Sequence, residues 1–283
     1  MQAFERFNIA KYNTLRYLII LLAFVSASCV TQFRRVQRSE DWRVKYEAGL
    51  EYYNKKDYYH TALLFEDIRP VVRGLPEGEK VEFYLAYCQY NEKTYLLASS
   101  QFKSFYETYG RSTLYEEAKF MYAYSLYVGS PRYNLDQRSS LEAMEAMQAF
   151  VNQHPDSKFA EQALDVIKTV QLRLEQKGFE NAKQYLRIGM YKAALVSLDH
   201  FRREFPDSRF AEEAAFCRVE AQFKLAERSL PNLQKQRYKE VLDLYKELVD
   251  SFPNSNFLRD AEKFYTLSTE RYNKLKNNNQ SNS

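Results

Sequence analysis

The sequence predicts an all-α fold, a superhelical array of five stacked helix hairpins. Three observations carry that expectation. Only 7 Gly and 7 Pro occur in 283 residues, too few turn formers for a protein of many short strands. Apolar residues recur at offsets of three and four, one face of a helix. One such pattern returns five times, the mark of a repeat architecture.

The N-terminal element is an export signal. Arg6, Lys11 and Arg16 precede an apolar run from Leu18 to Val25. A bilayer-spanning helix needs ~20 apolar residues, and serines at 26 and 28 cut this run short. A basic start, a short apolar stretch and small residues before a cut site describe a signal peptide, residues 1–28. The sequence "VSASC" resembles a bacterial lipobox, which implies cleavage before Cys29 and attachment of a diacylglyceryl group to its thiol. Thiolates are strong nucleophiles, and each buried methylene contributes ~0.8 kcal/mol to anchoring. Loss of three basic residues and Glu5 lowers the formal net charge from +4 to +2. The remaining charges are mixed, which leaves no footprint for nucleic acid.

Residues 29–41 form a lipidated tether, in which Arg34, Arg35 and Arg38 are expected near headgroups. Residues 42–273 hold the repeats. Four stretches align: Tyr95–Ser112, Ser140–Ser157, Tyr191–Ser208 and Tyr238–Ser255. Each carries a small or β-branched residue (Ala98, Ala143, Ala194, Val241). Four residues on come Phe102, Met147, Leu198 and Tyr245, and three further Phe105, Phe150, Phe201 and Leu248. A degenerate first copy uses Tyr58, Thr61, Phe65, Ile68 and Val72. Upstream of each copy a further helix carries its own small residue: Gly49, Ala86, Ala123, Ala182 and Ala221. The third and fifth intervals hold inserted loops, "VGSPRYNLDQ" and "RSLPNLQKQR". Pro-Asp/Asn-Ser ends the last three copies, since Pro cannot continue a helix and Asp, Asn and Ser cap the next one. Residues 274–283, "KLKNNNQSNS" with Lys274 at their head, are a polar tail expected to be disordered.

A pair of helices with this small, small, aromatic and Pro pattern resembles the tetratricopeptide repeat, over about Trp42 to Tyr272. One such hairpin cannot bury its own apolar stripe; stacking does so. The resemblance implies that the first helix of each pair lines a groove. With Gly49, Ala86 and Ala123 as register marks, that face carries Leu50 and Tyr53, Tyr87 and Tyr90, and Tyr124 and Tyr127. Tyr46, Phe83 and Phe120 lie three positions before the marks. Asn54 and Asn91 repeat beside the tyrosines. The expected site is an aromatic ladder of these residues, offering large contact area at low entropic cost to an extended, aromatic-rich peptide.

Catalytic patterns are missing from the sequence. His60, His154 and His200 stand alone, and no HExxH, CxxC, GxSxG, GxGxxG or P-loop occurs. Cys88 and Cys217 sit in apolar-periodic segments as two small core residues. Paired carboxylates such as Glu116–Glu117 and Glu212–Glu213 flank helix starts, where they complement the dipole. The expectation is a binding protein, not an enzyme, with no metal and no cofactor beyond the covalent lipid on Cys29.

Two stretches, Ser130–Ala163 and Arg173–Ser208, go beyond a generic repeat. Asp136–Gln137 and the Met-Tyr-x-Ala-Ala run at Met190–Ala194 are the most specific parts. With the lipobox and the repeats, they resemble the BamD family of outer-membrane lipoproteins. The chain departs from many relatives at Val196–Ser197, where they carry a basic residue. The resemblance implies a periplasm-facing adaptor of β-barrel assembly. Its C-terminal repeats would dock the periplasmic domains of a BamA-like barrel protein among other assembly subunits. Its N-terminal repeats would receive unfolded outer-membrane proteins, whose terminal targeting signal the resemblance implies to end in an aromatic residue. Val30 is not Asp and no acidic run follows Cys29, so the expected place is the outer membrane, lipid-anchored on its periplasmic face. The alternative is another periplasmic tetratricopeptide lipoprotein, serving envelope division or secretion.

Overall fold

The computed structural model describes residues 32–281, so the signal segment and Cys29 lie outside the described residues. Within them, all regular structure is helical. A short helix α1 spans 32–37. It is followed by α2 (Trp42–Asn54), α3 (Tyr58–Val72), α4 (Pro76–Asn91), α5 (Tyr95–Thr108), α6 (Tyr115–Gly129), α7 (Arg138–Gln153), α8 (Ala160–Arg187), α9 (Tyr191–Glu204), α10 (Ala211–Glu227), α11 (Pro231–Ser251) and α12 (Leu258–Ser281). The all-helical class expected from the sequence is therefore the one observed. No described helix is long and apolar enough to cross a membrane.

The chain divides into two compact units, residues up to 130 with 139–167, and residues 131–138 with 168 onward. In the first unit α2 packs on α3, α3 on α4, α4 on α5 and α5 on α6. The small residues set how closely the helices cross. A Cβ at Gly49 would lie 2.3 Å from the Phe65 ring, so only glycine admits that ring. Thr61 then donates its hydroxyl to the Gly49 carbonyl at 3.3 Å. Ala86, Ala98, Ala123 and Ala143 are fully buried, as are Phe65, Phe102, Met147 and Phe150. Each large apolar side chain so buried contributes roughly 1.5–3 kcal/mol.

The turns inside the hairpins repeat as well. Lys56 and Lys93 hold φ near 61° and 63°, and Gly189 takes φ 78° at the matching turn of the second unit. At each, two N–H groups reach back to helix carbonyls: Lys56 to Tyr53 and Asp57 to Tyr52, Lys93 to Tyr90 and Thr94 to Gln89, Gly189 to Leu186 and Met190 to Tyr185. This is the left-handed cap that satisfies the last carbonyls of a helix.

A further link joins successive copies. The serine closing each aligned stretch donates to a glutamate one copy back: Ser112 to Glu79, Ser157 to Glu116, Ser208 to Glu175 at 2.8 Å and Ser255 to Glu212 at 2.6 Å. The same oxygens accept the N–H groups of Leu114, Phe159, Phe210 and Phe257 at the start of the next helix. The serines stand two residues before the N-caps Leu114 and Phe210, and these helices have no side-chain cap, so the expected capping role gives way to that of a clasp.

In the second unit α9 packs on α10, α10 on α11, and α12 on both α10 and α11. One cluster centres on Phe179, Ala182, Ala194, Leu198, Phe201 and Cys217. The other centres on Val219, Phe223, Tyr238, Val241, Leu248 and Ala261. The loop 131–138 is held by α8 within this unit, with Lys177 donating to the Leu135 carbonyl at 2.6 Å and Arg173 to the Pro131 carbonyl at 3.4 Å. Gln137 is buried and donates to the Arg132 carbonyl at 2.7 Å, which explains why an amide belongs there.

One expectation needs correction, and two further features add to the reading. The stretch Arg228–Arg237 is a loop only as far as Leu230, because α11 begins at Pro231. Proline suits that first helical position, where its missing N–H has no partner to lose. The described part of the polar tail continues α12 beyond Lys274 to Ser281. The tether segment also holds a packed residue. Phe33 of α1 is buried and packs 4.2 Å from the His60 ring and 5.8 Å, edge-on, from Tyr52.

Candidate functional site

The candidate site lies in the first unit, on the first helices of its hairpins. Tyr53, at the end of α2, sits between Tyr58 (5.6 Å between centroids) and Tyr84 (4.5 Å). Tyr90, at the end of α4, sits between Tyr95 (5.5 Å) and Tyr124 (6.2 Å). Tyr124 continues to Tyr127 at 5.9 Å. The 37-residue spacing of Tyr53, Tyr90 and Tyr127 thus lays their rings at equivalent places on successive helices. All three, with Tyr87 and Tyr124, are half-buried.

Three of the expected groove residues are not surface. Tyr46, Phe83 and Phe120 are 7 %, 5 % and 2 % exposed. Tyr46 stacks on Phe65, Phe83 meets Phe102 and Phe105, and Phe120 stacks on Phe159 at 4.7 Å. Lying three residues before the marks turns them toward the partner helix, so they support the tyrosines from below. Leu50 packs against the same first-hairpin core. Asn54 and Asn91 are exposed. Asn91 donates to the Tyr87 carbonyl at 2.8 Å, a helix-end role that occupies part of its amide.

One polar group stands among the rings. Tyr87 donates its hydroxyl to Glu117 at 2.6 Å, and Lys158 pairs with the other carboxylate oxygen at 3.6 Å. Burial raises the Tyr87 pKa most, followed by the Glu117 hydrogen bond and charge, with smaller contributions from Tyr53 and Tyr90. Tyr53 is raised as well, chiefly by burial. Tyr53 and Tyr87 are therefore neutral throughout the physiological range, beside one carboxylate that Lys158 compensates. Sequence reasoning missed Tyr84 and Glu117. Neither has a like residue 37 positions away, so the repeat carried no signal for them.

The other cysteines are settled by packing. Cys88 and Cys217 are unpaired and buried, and burial pushes each thiol up to about 12. Thiols so held are inert as nucleophiles. Among the described residues no cluster of His, Cys, Asp and Glu is arranged to hold a metal.

Residues 39–236 match the model of the YfiO family, described as outer membrane lipoprotein. The match covers most of the chain, from just before α2 into the first turns of α11. The chain belongs to the YfiO family of outer membrane lipoproteins. This is the BamD family, so the resemblance carried by Asp136–Gln137 and Met190–Ala194 is shown. YfiO-family membership places the chain among outer-membrane scaffold lipoproteins rather than in an enzyme family. No curated protein matches the chain significantly.

Proposed function

We propose that this YfiO-family chain is a periplasm-facing, lipid-anchored scaffold of β-barrel assembly in the outer membrane. The observation that carries the reading is the family match over residues 39–236. Burial of Cys88 and Cys217 supports Cys29 as the acylated residue, because it leaves no other thiol for the lipid.

The first unit receives unfolded outer-membrane proteins. Its half-buried tyrosines offer flat rings with fixed positions, which bind an aromatic-rich segment at little cost in conformational entropy. The second unit docks the periplasmic domains of a BamA-like barrel protein. Support comes from apolar residues left exposed at its hairpin turns: Ile188 and Met190 at 54 % and 56 %, and Leu230 at 68 %. Arg228 lies over the Tyr191 ring at 5.1 Å and brings the two turns together. Exposed apolar groups gathered in one place mark interaction surfaces.

A pull-down tests the assignment. Lipidated protein recovered in mild detergent should retain a barrel-forming subunit and release it when Ile188 and Leu230 are both changed to Asp. An eluate without any barrel-assembly subunit would contradict the reading.

A further inference from the structure

An interior hairpin of a stacked array is covered on both sides, whereas the first has no predecessor. In this chain α1 takes the predecessor's place, but it is only six residues long. Phe33 is 9 % exposed and closes over Tyr52 and His60. Between α1 and the α2–α3 hairpin a cavity of about 540 Å³ remains. Phe33, Val36, Tyr52 and Leu63 supply apolar wall, Arg34 supplies hydrogen-bond donors, and the carboxylates Glu51 and Asp57 on the same wall are held by Lys55 at 3.7 Å and His60 at 2.7 Å. The volume falls within the range of roughly 300–1,000 Å³ usual for small-molecule sites.

The chain itself carries a group that can reach this cavity. Gln32 lines it, and only Val30 and Thr31 stand between Gln32 and Cys29. Three extended residues span about 10 Å. A lipid carried by Cys29 therefore starts within about that distance of the cavity. With both carboxylates paired, the rest of the lining matches the start of such a lipid: ester oxygens accept from Arg34, and the first methylenes meet the rings and Leu63. Withdrawal of those methylenes from water is favourable, and the lipid would cover the outer face of the first hairpin.

We propose that this cavity holds the proximal part of the acyl-glyceryl group on the chain's own Cys29. The anchor is then clamped to the first hairpin instead of trailing on a free tether. Arg34, Arg35 and Arg38 are held beside the membrane surface by the same contact. The inference rests on the lipoprotein reading and adds a seat for the lipid.

The experiment places p-benzoylphenylalanine at Tyr59, which is 63 % exposed and lines the cavity, in the full-length, membrane-inserted chain. A second variant carries it at Leu63, and a control carries it at Leu96, which is 67 % exposed on α5. After irradiation and digestion, mass spectrometry should find the Tyr59 and Leu63 probes joined to the lipopeptide that begins at Cys29, and the Leu96 probe not joined to it. Probes at Tyr59 and Leu63 joined only to bilayer phospholipid, only to another protein, or to nothing, beside an acylated Cys29 peptide, would overturn this inference alone. An unacylated Cys29 peptide would overturn it together with the lipoprotein reading.

Discussion

Ser208 donates its hydroxyl to the Glu175 carboxylate at 2.8 Å, with both side chains buried. The same oxygen receives the Phe210 N–H at 3.2 Å. One hydroxyl thus closes the turn before α10 and ties it to the copy before. Removing it leaves a buried carboxylate oxygen without its partner, a loss of about 1–3 kcal/mol. Ser208→Ala should lower the thermal midpoint by several degrees. Ser255→Ala removes the corresponding bond to the more exposed Glu212 and should cost less. Calorimetry of the two variants checks the order.

Gly49 and Phe65 give a second prediction. A methyl group at Gly49 meets the Phe65 ring at 2.3 Å, and overpacking of this kind typically costs about 1–3 kcal/mol. Gly49→Ala should destabilise the chain by that amount in a denaturant titration. Gly110→Ala, where a Cβ meets nothing within 4 Å, should leave stability unchanged or slightly raised.

Lys56 and Lys93 occupy a backbone region that side chains disfavour. The left-handed conformation costs a residue with a Cβ about 1–2 kcal/mol, and glycine gives back part of that through its freer unfolded state. Lys56→Gly and Lys93→Gly should each stabilise the chain by about 0.5–1 kcal/mol, as Gly189 already does at the third turn. A lowered denaturation midpoint in either variant would contradict the left-handed assignment.

The buried thiols predict a pH dependence. Cys88 and Cys217 titrate near 12 in the folded chain, against an ordinary 9.0. Their folded values are raised, so the stabilisation is fully present below pH 9 and is lost as pH rises toward 12. Native protein at pH 8 should leave both thiols unreactive toward a disulfide reagent, and both should react on unfolding. Replacing either cysteine by Ala should reduce the loss of stability above pH 9.

Much of this was legible in the sequence because the repeat samples the same physics several times. Ala98, Ala143, Ala194 and Val241 align by eye and are all fully buried. The tyrosines 37 residues apart fall at equivalent places for the same reason. What escaped the sequence has no periodic copy. Tyr84 and Glu117 join the ladder only through tertiary contacts. The Ser–Glu clasps span 33 to 43 residues, too uneven a separation to stand out before the helices are placed. Phe33 resembles any tether residue until His60 and Tyr52 are seen beneath it. Tyr46, Phe83 and Phe120 share the helix with the ladder but point into the core, a difference of facing that the sequence pattern did not separate.

The ladder itself predicts weakened recognition. Aromatic anchors at an interface are worth about 2 kcal/mol or more on truncation. Tyr53→Ala combined with Tyr90→Ala should weaken binding of peptides ending in an aromatic residue by more than tenfold, with helicity unchanged by circular dichroism. Equal affinity in a titration would remove these rings from the site.

The most direct measurement places a photocrosslinking phenylalanine analogue at Tyr90 of the lipidated chain in its native envelope. The account predicts adducts with unfolded outer-membrane proteins that disappear when their terminal aromatic residue is deleted. Irradiation that yields no such adduct, or adducts indifferent to that residue, would contradict it.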